Sequence, residues 1–513
     1  MSAALENNKR IAKNTFFMYA RMLILMGVSL FTVRVVFNVL GTNDYGTYNI
    51  VAGIIVFFTF LNSGLSSATK RYITAEIANG TTESCKHVFN TCVIAHFIVA
   101  GIIFLLAEVI GVWTVNDILN IPSDRIYAAN WVFQMSVFSA LLGIMQSPFE
   151  AAIVAYEKMN IYAYFSIVDV ILKLLIVYLL IVLPGDKLIV YSCLLLGVSF
   201  ITVFINRIYC YRSFLICRWY YKKDVPLLKD VFKFMSWSLL GQAAVVGTNQ
   251  GVSVLINVYF NVAVNAAMGI SNQIVNIANR FVTNFQVAFN PQIIKSYANK
   301  EYDYLLTLIF RASKISSFLI IVFLVPLIFE APKLLTFWLG NYPEYTIEFC
   351  IFTFIAIYIE AIGAPLWMLV YSQTNIRQYQ VVLSSVYMMN FFLGWISLSM
   401  HQPPYVVIII RIFIFVVLLG IRLYYASLLL PLLNKKRWIW QILIKGIVII
   451  MISCVITGVL SKVVVLPNLF HVLVISMLSL CYTLPLCFCL GLDADERIFC
   501  INIFKNKMLH KTN

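Results

Sequence analysis

The chain has 513 residues, of which 61% are hydrophobic and 12% charged, and its mean hydropathy is +0.89. A soluble domain is nearer half apolar and a quarter charged, so this composition excludes an ordinary soluble enzyme and predicts a polytopic membrane protein. The formal net charge of +15 gives no support for nucleic-acid binding, because short basic loops set the topology of membrane proteins.

Hydropathy predicts an all-α fold of about fourteen transmembrane helices. The spans lie near 15–40, 45–66, 88–112, 128–153, 161–183, 188–210, 231–258, 262–289, 306–329, 346–371, 379–400, 405–429, 439–461 and 468–491. No connection exceeds about twenty residues and no GxxxxGK[ST] loop is present, so we expect neither an enzyme nor an ATPase. The eleven cysteines form no CxxC pair, so we expect no structural metal, no disulfide framework and no cofactor.

Basic residues alternate between the two sides of these spans, and the richer side includes both ends of the chain. The positive-inside rule therefore predicts that both termini are cytoplasmic. The most basic connection, 217–230, follows the sixth span and predicts a linker between two pseudo-symmetric six-helix bundles at 1–216 and 231–430. Two peripheral helices and a cytoplasmic tail are predicted at 431–513.

The eighth span carries a row of polar side chains, although it is long enough to cross a bilayer. The members of this polar row are spaced 4, 3, 4, 3 and 4 residues apart, on one helical face: Asn272, Asn276, Asn279, Thr283, Gln286 and Asn290. Arg280 lies beside the row, roughly 15 Å along the axis from Asn290 and near the middle of a ~30 Å core. Lipid does not solvate such a face, so we expect it to line a hydrophilic cavity.

Other ionisable groups inside the spans are functional candidates, and each has a structural alternative. Arg21 and Arg34 of the first span can face the cavity or extend to the nearer interface. Arg411, in the outer half of the twelfth span, can pair with a carboxylate or face the cavity. Asn249 belongs to a polar face of the seventh span, where interhelical hydrogen bonds are the alternative.

Three carboxylates are candidates for coupling to a proton or Na⁺. Glu360, near the middle of the tenth span, is followed by Gly363 and Pro365, which favour a weakened helix there. It can instead pair with a deep arginine. Asp169 is one turn from Lys173, so neutralisation within the helix is favoured for it. Glu150, like Glu360, can couple to an ion or pair with a deep arginine.

Residues 38–73 resemble the N-terminal signature of the polysaccharide (Wzx-type) exporters of lipid-linked oligosaccharides. In these proteins the first span ends in Leu-Gly, a Tyr-Gly-x-Tyr turn opens the second, and Gly-Leu with a basic pair closes it. The matching residues here are Leu40-Gly41, Tyr45-Gly46-Thr47-Tyr48, Gly64-Leu65 and Lys70-Arg71. The segment PQIIKSYANKEYDYL at 291–305 is similar to the loop after their eighth span. The signature marks the multidrug/oligosaccharidyl-lipid/polysaccharide exporter superfamily.

The resemblance implies a MATE-like fold that flips undecaprenyl-pyrophosphate-linked oligosaccharide across the bacterial inner membrane by alternating access, for O-antigen or capsule synthesis. It implies an ion gradient as driving force, with the lipid-linked glycan and membrane lipids as partners, together with a polysaccharide polymerase and glycosyltransferases. We therefore predict substrate contacts at Arg21, Arg34, Arg280, Arg411, Asn249, Asn272, Asn276, Asn279 and Thr283. Ion coupling is predicted at Glu360, Asp169 or Glu150.

Three other functions compete with this one. A lipid II-type flippase would carry the same pyrophosphate group. A multidrug/cation antiporter of the superfamily would need a cavity lined with carboxylates, whereas the deep charges here are mostly arginine. A membrane glycosyltransferase or polymerase would need a large outer loop or a soluble domain, and the chain has neither.

Overall fold

The computed structural model describes residues 2–498 except 157, 219, 221–223, 374–376, 465 and 495. Every regular element of this part of the chain is helical, which confirms the predicted all-α fold. Packing divides the chain into two compact units, unit 1 at Met1–Ala266 and unit 2 at Ala267–Asn513. The division falls near the start of α7, whereas the predicted linker is at 217–230. The predicted domain boundaries stay a prediction.

Unit 1 is built from six long helices. They are α1 (Ser2–Asn79), α2 (Thr82–Leu106), α3 (Ile126–Ala155), α4 (Met159–Val182), α5 (Lys187–Ser213) and α6 (Val225–Tyr259). Short π-helical segments at Ala107–Gly111 and Thr114–Ile118 extend α2. α3 packs on α5, and α1 packs on α3 and α6. The seventh predicted span, α6, therefore belongs with the first six by its packing.

Helix α1 contains the first two predicted spans, which are joined by a kink and not by a loop. Gly41 sits at the kink with φ 76° and ψ 176°. Residues with a Cβ rarely adopt such a positive φ. The backbone conformation at the kink therefore explains why the Leu-Gly signature has a glycine at this position. Tyr45, four residues after Gly41, is 6% exposed and is the first buried residue in the second half of α1.

Unit 2 contains the remaining helices. They are α7 (Val262–Ala298), α8 (Tyr302–Leu339), α9 (Thr346–Tyr371), α10 (Arg377–Ser399), α11 (Val406–Leu429), α12 (Lys435–Trp438), α13 (Lys445–Val463) and α14 (Asn468–Leu486). π-Helical segments at Ile439–Ile444 and Cys487–Gly491 adjoin α12 and α14. α9 packs against α8 and α11, and α13 and α14 pack on α8.

Eleven helices within the described residues are long and apolar enough to cross a membrane. The first of them, Met26–Thr74, covers both halves of α1, while the amide-bearing helices α6 and α7 are not among the eleven. Counting the halves of α1 separately and including α6 and α7 restores the fourteen predicted spans. The chain is a multi-pass membrane protein.

Candidate substrate and ion sites

The polar row of α7 lies beside an apolar face of the same helix that packs within unit 2. That apolar face carries Val275, Ala278 and Val282, each 1% exposed. In the row, Asn276 and Thr283 are exposed, and Asn272 and Asn279 are half-buried. Arg280 is exposed as well. The exposed side chains of Asn276, Thr283 and Arg280 are thus available to a ligand or to water.

Hydrogen bonds distinguish the members of the row. The Thr283 hydroxyl donates to the Asn279 carbonyl oxygen at 2.9 Å, one turn back on α7. Gln286 Nε2 donates to Ser316 Oγ at 3.2 Å and to the Ala361 carbonyl oxygen at 3.1 Å. The side chain of Gln286 therefore ties α7 to α8 and α9, so the exposed part of the row ends before it.

The remaining predicted substrate residues lie on three other helices. Arg34 on α1 and Asn249 on α6 are exposed in unit 1. The side chain of Arg21 lies outside those that the structure describes. Arg411 on α11 is half-buried, and its Nη2 is a buried donor that has no hydrogen-bond partner among the described residues.

Unit 1 contains a polar cavity of about 350 Å³ between α3, α4 and α5. Two predicted ion-coupling carboxylates, Glu150 and Asp169, line this Glu150 cavity. Both polar atoms of the Gln146 amide and the Asn206 Oδ1 are buried without a hydrogen-bond partner among the described residues. Gly143, also in the wall, contributes no side chain. The cavity thus presents two carboxylates, which are ligands that suit a proton or a hard cation.

A second cavity of about 300 Å³ extends from the same region towards α1. This Lys173 cavity shares Asp169, Ser139 and Ser199 with the Glu150 cavity. Lys173 Nζ lies 2.7 Å from Asp169 Oδ2, so the predicted pair within α4 is present. Asp169 therefore lies where the two cavities meet, and it is paired with the ammonium group of Lys173.

In unit 2, Glu360 pairs with an arginine, which is the structural alternative predicted for it, and the partner is Arg422. Arg422 Nη2 donates to Glu360 Oε1 at 2.8 Å, and the Tyr387 hydroxyl approaches the same oxygen at 3.4 Å. Arg422 is 3% exposed. The position of Arg422 inside the twelfth predicted span was the available signal. Its pairing with Glu360 depends on how α9 packs on α11.

A cluster of charges joins the start of α3 to α1, just after its kink, and to the start of α5. Arg125 Nε donates to Asp44 Oδ1 at 2.8 Å, and Arg125 Nη1 donates to Asp186 Oδ2 at 2.6 Å. Asp186 also caps α5 by accepting from the Leu188 backbone N–H at 2.9 Å. Burial raises the pKa of Asp186, but these hydrogen bonds outweigh burial and hold its pKa below the usual range. The cluster anchors α1 just after its kink.

Residues 11–240 match the sequence model of a family described as polysaccharide biosynthesis protein. This match covers both halves of α1 and all of α2 to α5. No curated protein matches the chain at a significant level.

Solved structures share the fold of most of the chain. A lipid II flippase, MurJ, in an inward closed conformation aligns at 13% identity with a TM-score of 0.67, covering 91% of this chain and 97% of its own. An inward-facing MATE multidrug resistance transporter aligns at 12% identity with a TM-score of 0.65, covering 79% and 94%. A MOP superfamily transporter from Pyrococcus furiosus aligns at 13% identity with a TM-score of 0.55, covering 81% and 96%.

These matches confirm the resemblance found in the sequence. Most of the chain therefore has the fold of these MATE, MurJ and MOP superfamily structures. The solved proteins that it resembles are named as transporters and as a flippase.

Proposed function

We propose that this protein flips an undecaprenyl-pyrophosphate-linked oligosaccharide across the bacterial inner membrane for the synthesis of surface polysaccharide. The observation that carries this proposal is the exposed polar row of α7, on a chain that matches the polysaccharide biosynthesis family over residues 11–240. The substrate joins an anionic pyrophosphate to a sugar chain rich in hydroxyls. Guanidinium groups and neutral amides are the side chains that bind such groups without covalent chemistry.

The exposed cations and amides divide into two roles. Each unit offers such groups by itself. Arg34 in unit 1 and Arg280 in unit 2 are exposed guanidinium groups, which form paired hydrogen bonds to phosphate oxygens and so suit the pyrophosphate. Asn249 on α6 and Asn276 on α7 are exposed amides, which suit the sugar hydroxyls. The isoprenoid tail stays in the bilayer, since hydrocarbon solvates it better than an amide-lined surface does.

A proton or Na⁺ drives the cycle through the two carboxylates of the Glu150 cavity. Glu150 and Asp169 line one cavity, so a single bound cation can be near both carboxylates. Glu360 is the weaker coupling candidate, because Arg422 already supplies its counter-charge at 2.8 Å. Lys173 in turn competes with the coupling ion for Asp169.

A lipid II-type carrier is the second candidate, because the fold match to MurJ, named a lipid II flippase, covers 91% of the chain. Both substrates contain pyrophosphate, so Arg280 serves either. The two functions differ in the consequence of losing the protein. Loss of an oligosaccharide flippase removes surface polymer, whereas loss of a lipid II flippase causes lysis.

The decisive variant is Arg280→Ala, tested in cells that depend on this protein for surface polysaccharide. We expect loss of surface polymer at unchanged protein level, with lipid-linked oligosaccharide accumulating inside. Arg212→Ala is the matched control, because Arg212 is an exposed arginine at the end of α5 that was not predicted to bind substrate. Normal polymer in the Arg280→Ala cells would contradict the proposal, and lysis would support the lipid II function.

Water access to the polar row is tested by cysteine labelling. Asn276→Cys in a cysteine-free background should react with a membrane-impermeant thiol reagent in at least one transport state. Ala278→Cys is the matched control on the same helix, because Ala278 is 1% exposed and should stay unlabelled. Complete protection of position 276 in every state would remove the row from the substrate path.

A further inference from the structure

One long stretch of unit 2 contains no aspartate and no glutamate. This acid-free stretch, residues 361–492, begins inside α9 and ends just after α14. Its eight basic residues are Arg377, Arg411, Arg422, Lys435, Lys436, Arg437, Lys445 and Lys462. Any carboxylate that neutralises them therefore belongs to another part of the chain or to another molecule.

Two of these basic residues pair with a carboxylate of unit 2 outside the acid-free stretch. Arg422 pairs with Glu360, and Lys445 Nζ lies 3.3 Å from Asp493 Oδ1. The three consecutive cations of α12 form a basic triplet, Lys435, Lys436 and Arg437. All three are exposed, and none forms an ion pair within the part of the chain that the structure describes. The basic triplet thus presents three positive charges that no described carboxylate neutralises.

The basic triplet is held in place by its neighbours. The residue that follows it, Trp438, is fully buried and anchors the backbone of α12. Lys435 Nζ lies 5.0 Å from the centre of the Tyr424 ring on α11. On the other side, Arg437 Cζ lies 5.8 Å from the centre of the Phe310 ring on α8. An aromatic face attracts a cation without neutralising it, so these charges have defined positions and stay available to an anion.

The basic triplet lies at the edge of an exposed apolar surface. The candidate membrane span Lys435–Val463 begins with the triplet. Trp440 and Ile444, which follow the triplet, are exposed, and so are Leu428 and Leu432, which precede it. Cations at the end of a membrane span lie at the level of the lipid headgroups, and the exposed apolar side chains beside them contact acyl chains. This combination of charge and apolar surface matches a lipid with a negative headgroup.

We propose that the basic triplet binds the headgroup of an anionic phospholipid, whose acyl chains cover the exposed apolar side chains on either side of the triplet. The ammonium and guanidinium groups donate charge-assisted hydrogen bonds to the phosphate oxygens. An acidic protein segment would supply the charge but no acyl chains for Trp440 and Leu428. The inference goes beyond the proposed function, because this lipid stays bound to unit 2 and is not transported.

The positive-inside rule also favours basic residues at one end of a span. That rule acts while the chain inserts into the membrane. A protein that is already folded and purified therefore gains nothing from it, whereas a lipid site still distinguishes an anionic lipid from a neutral one. The experiment uses the purified full-length chain for this reason.

The test measures lipid-dependent stability of the purified protein in detergent. Phosphatidylglycerol is compared with phosphatidylcholine, both with oleoyl chains, at equal mole fraction. Tm should rise by about 2–4 °C more with phosphatidylglycerol. This extra rise should shrink in about 1 M salt, where the Debye length is only ~3 Å. It should vanish when Lys435→Gln, Lys436→Gln and Arg437→Gln are combined.

The matched control makes the same change of net charge in unit 1. It combines Gln substitutions at three exposed cations, Arg212, Arg218 and Lys229. This control variant should keep the extra rise. No extra rise in the wild type, or an equal loss in both variants, overturns the proposal. So does an equal stabilisation by inorganic phosphate, because the site would then need no lipid.

A second variant guards against simple misfolding. The combination of Lys435→Arg, Lys436→Arg and Arg437→Lys keeps all three charges and should keep the extra rise. Native mass spectrometry should show phosphatidylglycerol bound to the wild type, with an affinity reduced about tenfold or more in the triple Gln variant. Equal binding of phosphatidylglycerol and phosphatidylcholine, or equal stabilisation by a polyglutamate peptide, overturns the proposal. These readouts need no transport, so they stand or fall separately from the proposed function.

Discussion

The Glu360 carboxylate and the Arg422 guanidinium connect α9 to α11 through a hydrogen bond of 2.8 Å. The Arg422 side chain is 4% exposed, whereas Glu360 is 32% exposed. Gly363 lies one turn from Glu360, and a methyl group there would come within 3.1 Å of Arg422 Nη1. The Gly-x-Pro segment therefore makes room for the guanidinium. The expected weakening is not observed, because α9 continues through Pro365 to Tyr371.

Removing one member of this pair should cost more stability than removing both. Glu360→Leu leaves the buried Arg422 without its counter-charge, and we expect a loss of about 3–5 kcal/mol. The double variant Glu360→Leu with Arg422→Met removes both charges and should lose less. The measurement is unfolding of the purified protein in detergent, arranged as a double-mutant cycle. Additive effects of the two substitutions would show that the pair is not coupled.

The segment after α14 holds a buried lysine of α8. Lys314 is 1% exposed, and its Nζ donates to Asp493 Oδ2 at 2.9 Å and to Glu496 Oε2 at 2.7 Å. Lys445 Nζ of α13 donates to Asp493 Oδ1 at 3.3 Å. Burial raises the pKa of Asp493, but the two lysines outweigh burial and lower it. These contacts form a tail clamp on α8 and α13.

The tail clamp should respond to acid. Because the pKa of Asp493 is lowered by folding, its contribution to stability is present above the unfolded value of about 3.9 and is lost as pH falls through the folded value. The wild type should therefore be more stable than Asp493→Asn at pH 7, and the difference should shrink below about pH 4. Thermal unfolding of both proteins across pH measures this. A difference that does not change with pH would rule out the charge of Asp493 as its cause.

Gly46 of the sequence signature is expected to tolerate no side chain. An added Cβ would lie 1.9 Å from the Val262 carbonyl oxygen, a backbone atom that cannot turn aside. Gly46→Ala should therefore destabilise unit 1 by about 1–3 kcal/mol. Gly101→Ala is the matched control, because nothing lies within 4 Å of a Cβ at that helical position. Equal Tm values for the two variants in detergent would contradict the close approach of α1 to the start of α7.

Asp169 is expected to couple transport to the ion gradient. Asp169→Asn removes the charge where the two cavities of unit 1 meet, so export should fall roughly tenfold, equivalent to ~1.4 kcal/mol on the limiting barrier. The remaining export should no longer respond to dissipating the proton or Na⁺ gradient. Asp117→Asn, an exposed carboxylate at the end of the α2 extension, is the control. Export by Asp169→Asn that keeps its full rate and gradient dependence would assign Asp169 to structural pairing.

The pair in α4 and the pair between α9 and α11 show what sequence can predict of such contacts. Asp169 and Lys173 are four residues apart, so the helical period alone brings them together. Glu360 and Arg422 are 62 residues apart, and no local pattern relates them. The same holds for Lys314 and Asp493, which are 179 residues apart. The partner of Glu360 and the tail clamp therefore became evident only from the packing of the helices.

The sequence by itself determined the helical class, the membrane spans and the polar row of α7, because hydropathy and the 3.6-residue period are local properties. It also identified charges inside the membrane as the candidates for function. The tertiary structure decided which of these charges are paired. It placed Gln146 and Asn206 beside Glu150, and Arg422 beside Glu360. The reason is that helix register and packing arise from contacts distant in sequence, and these contacts decide whether a buried charge is neutralised or left for a ligand.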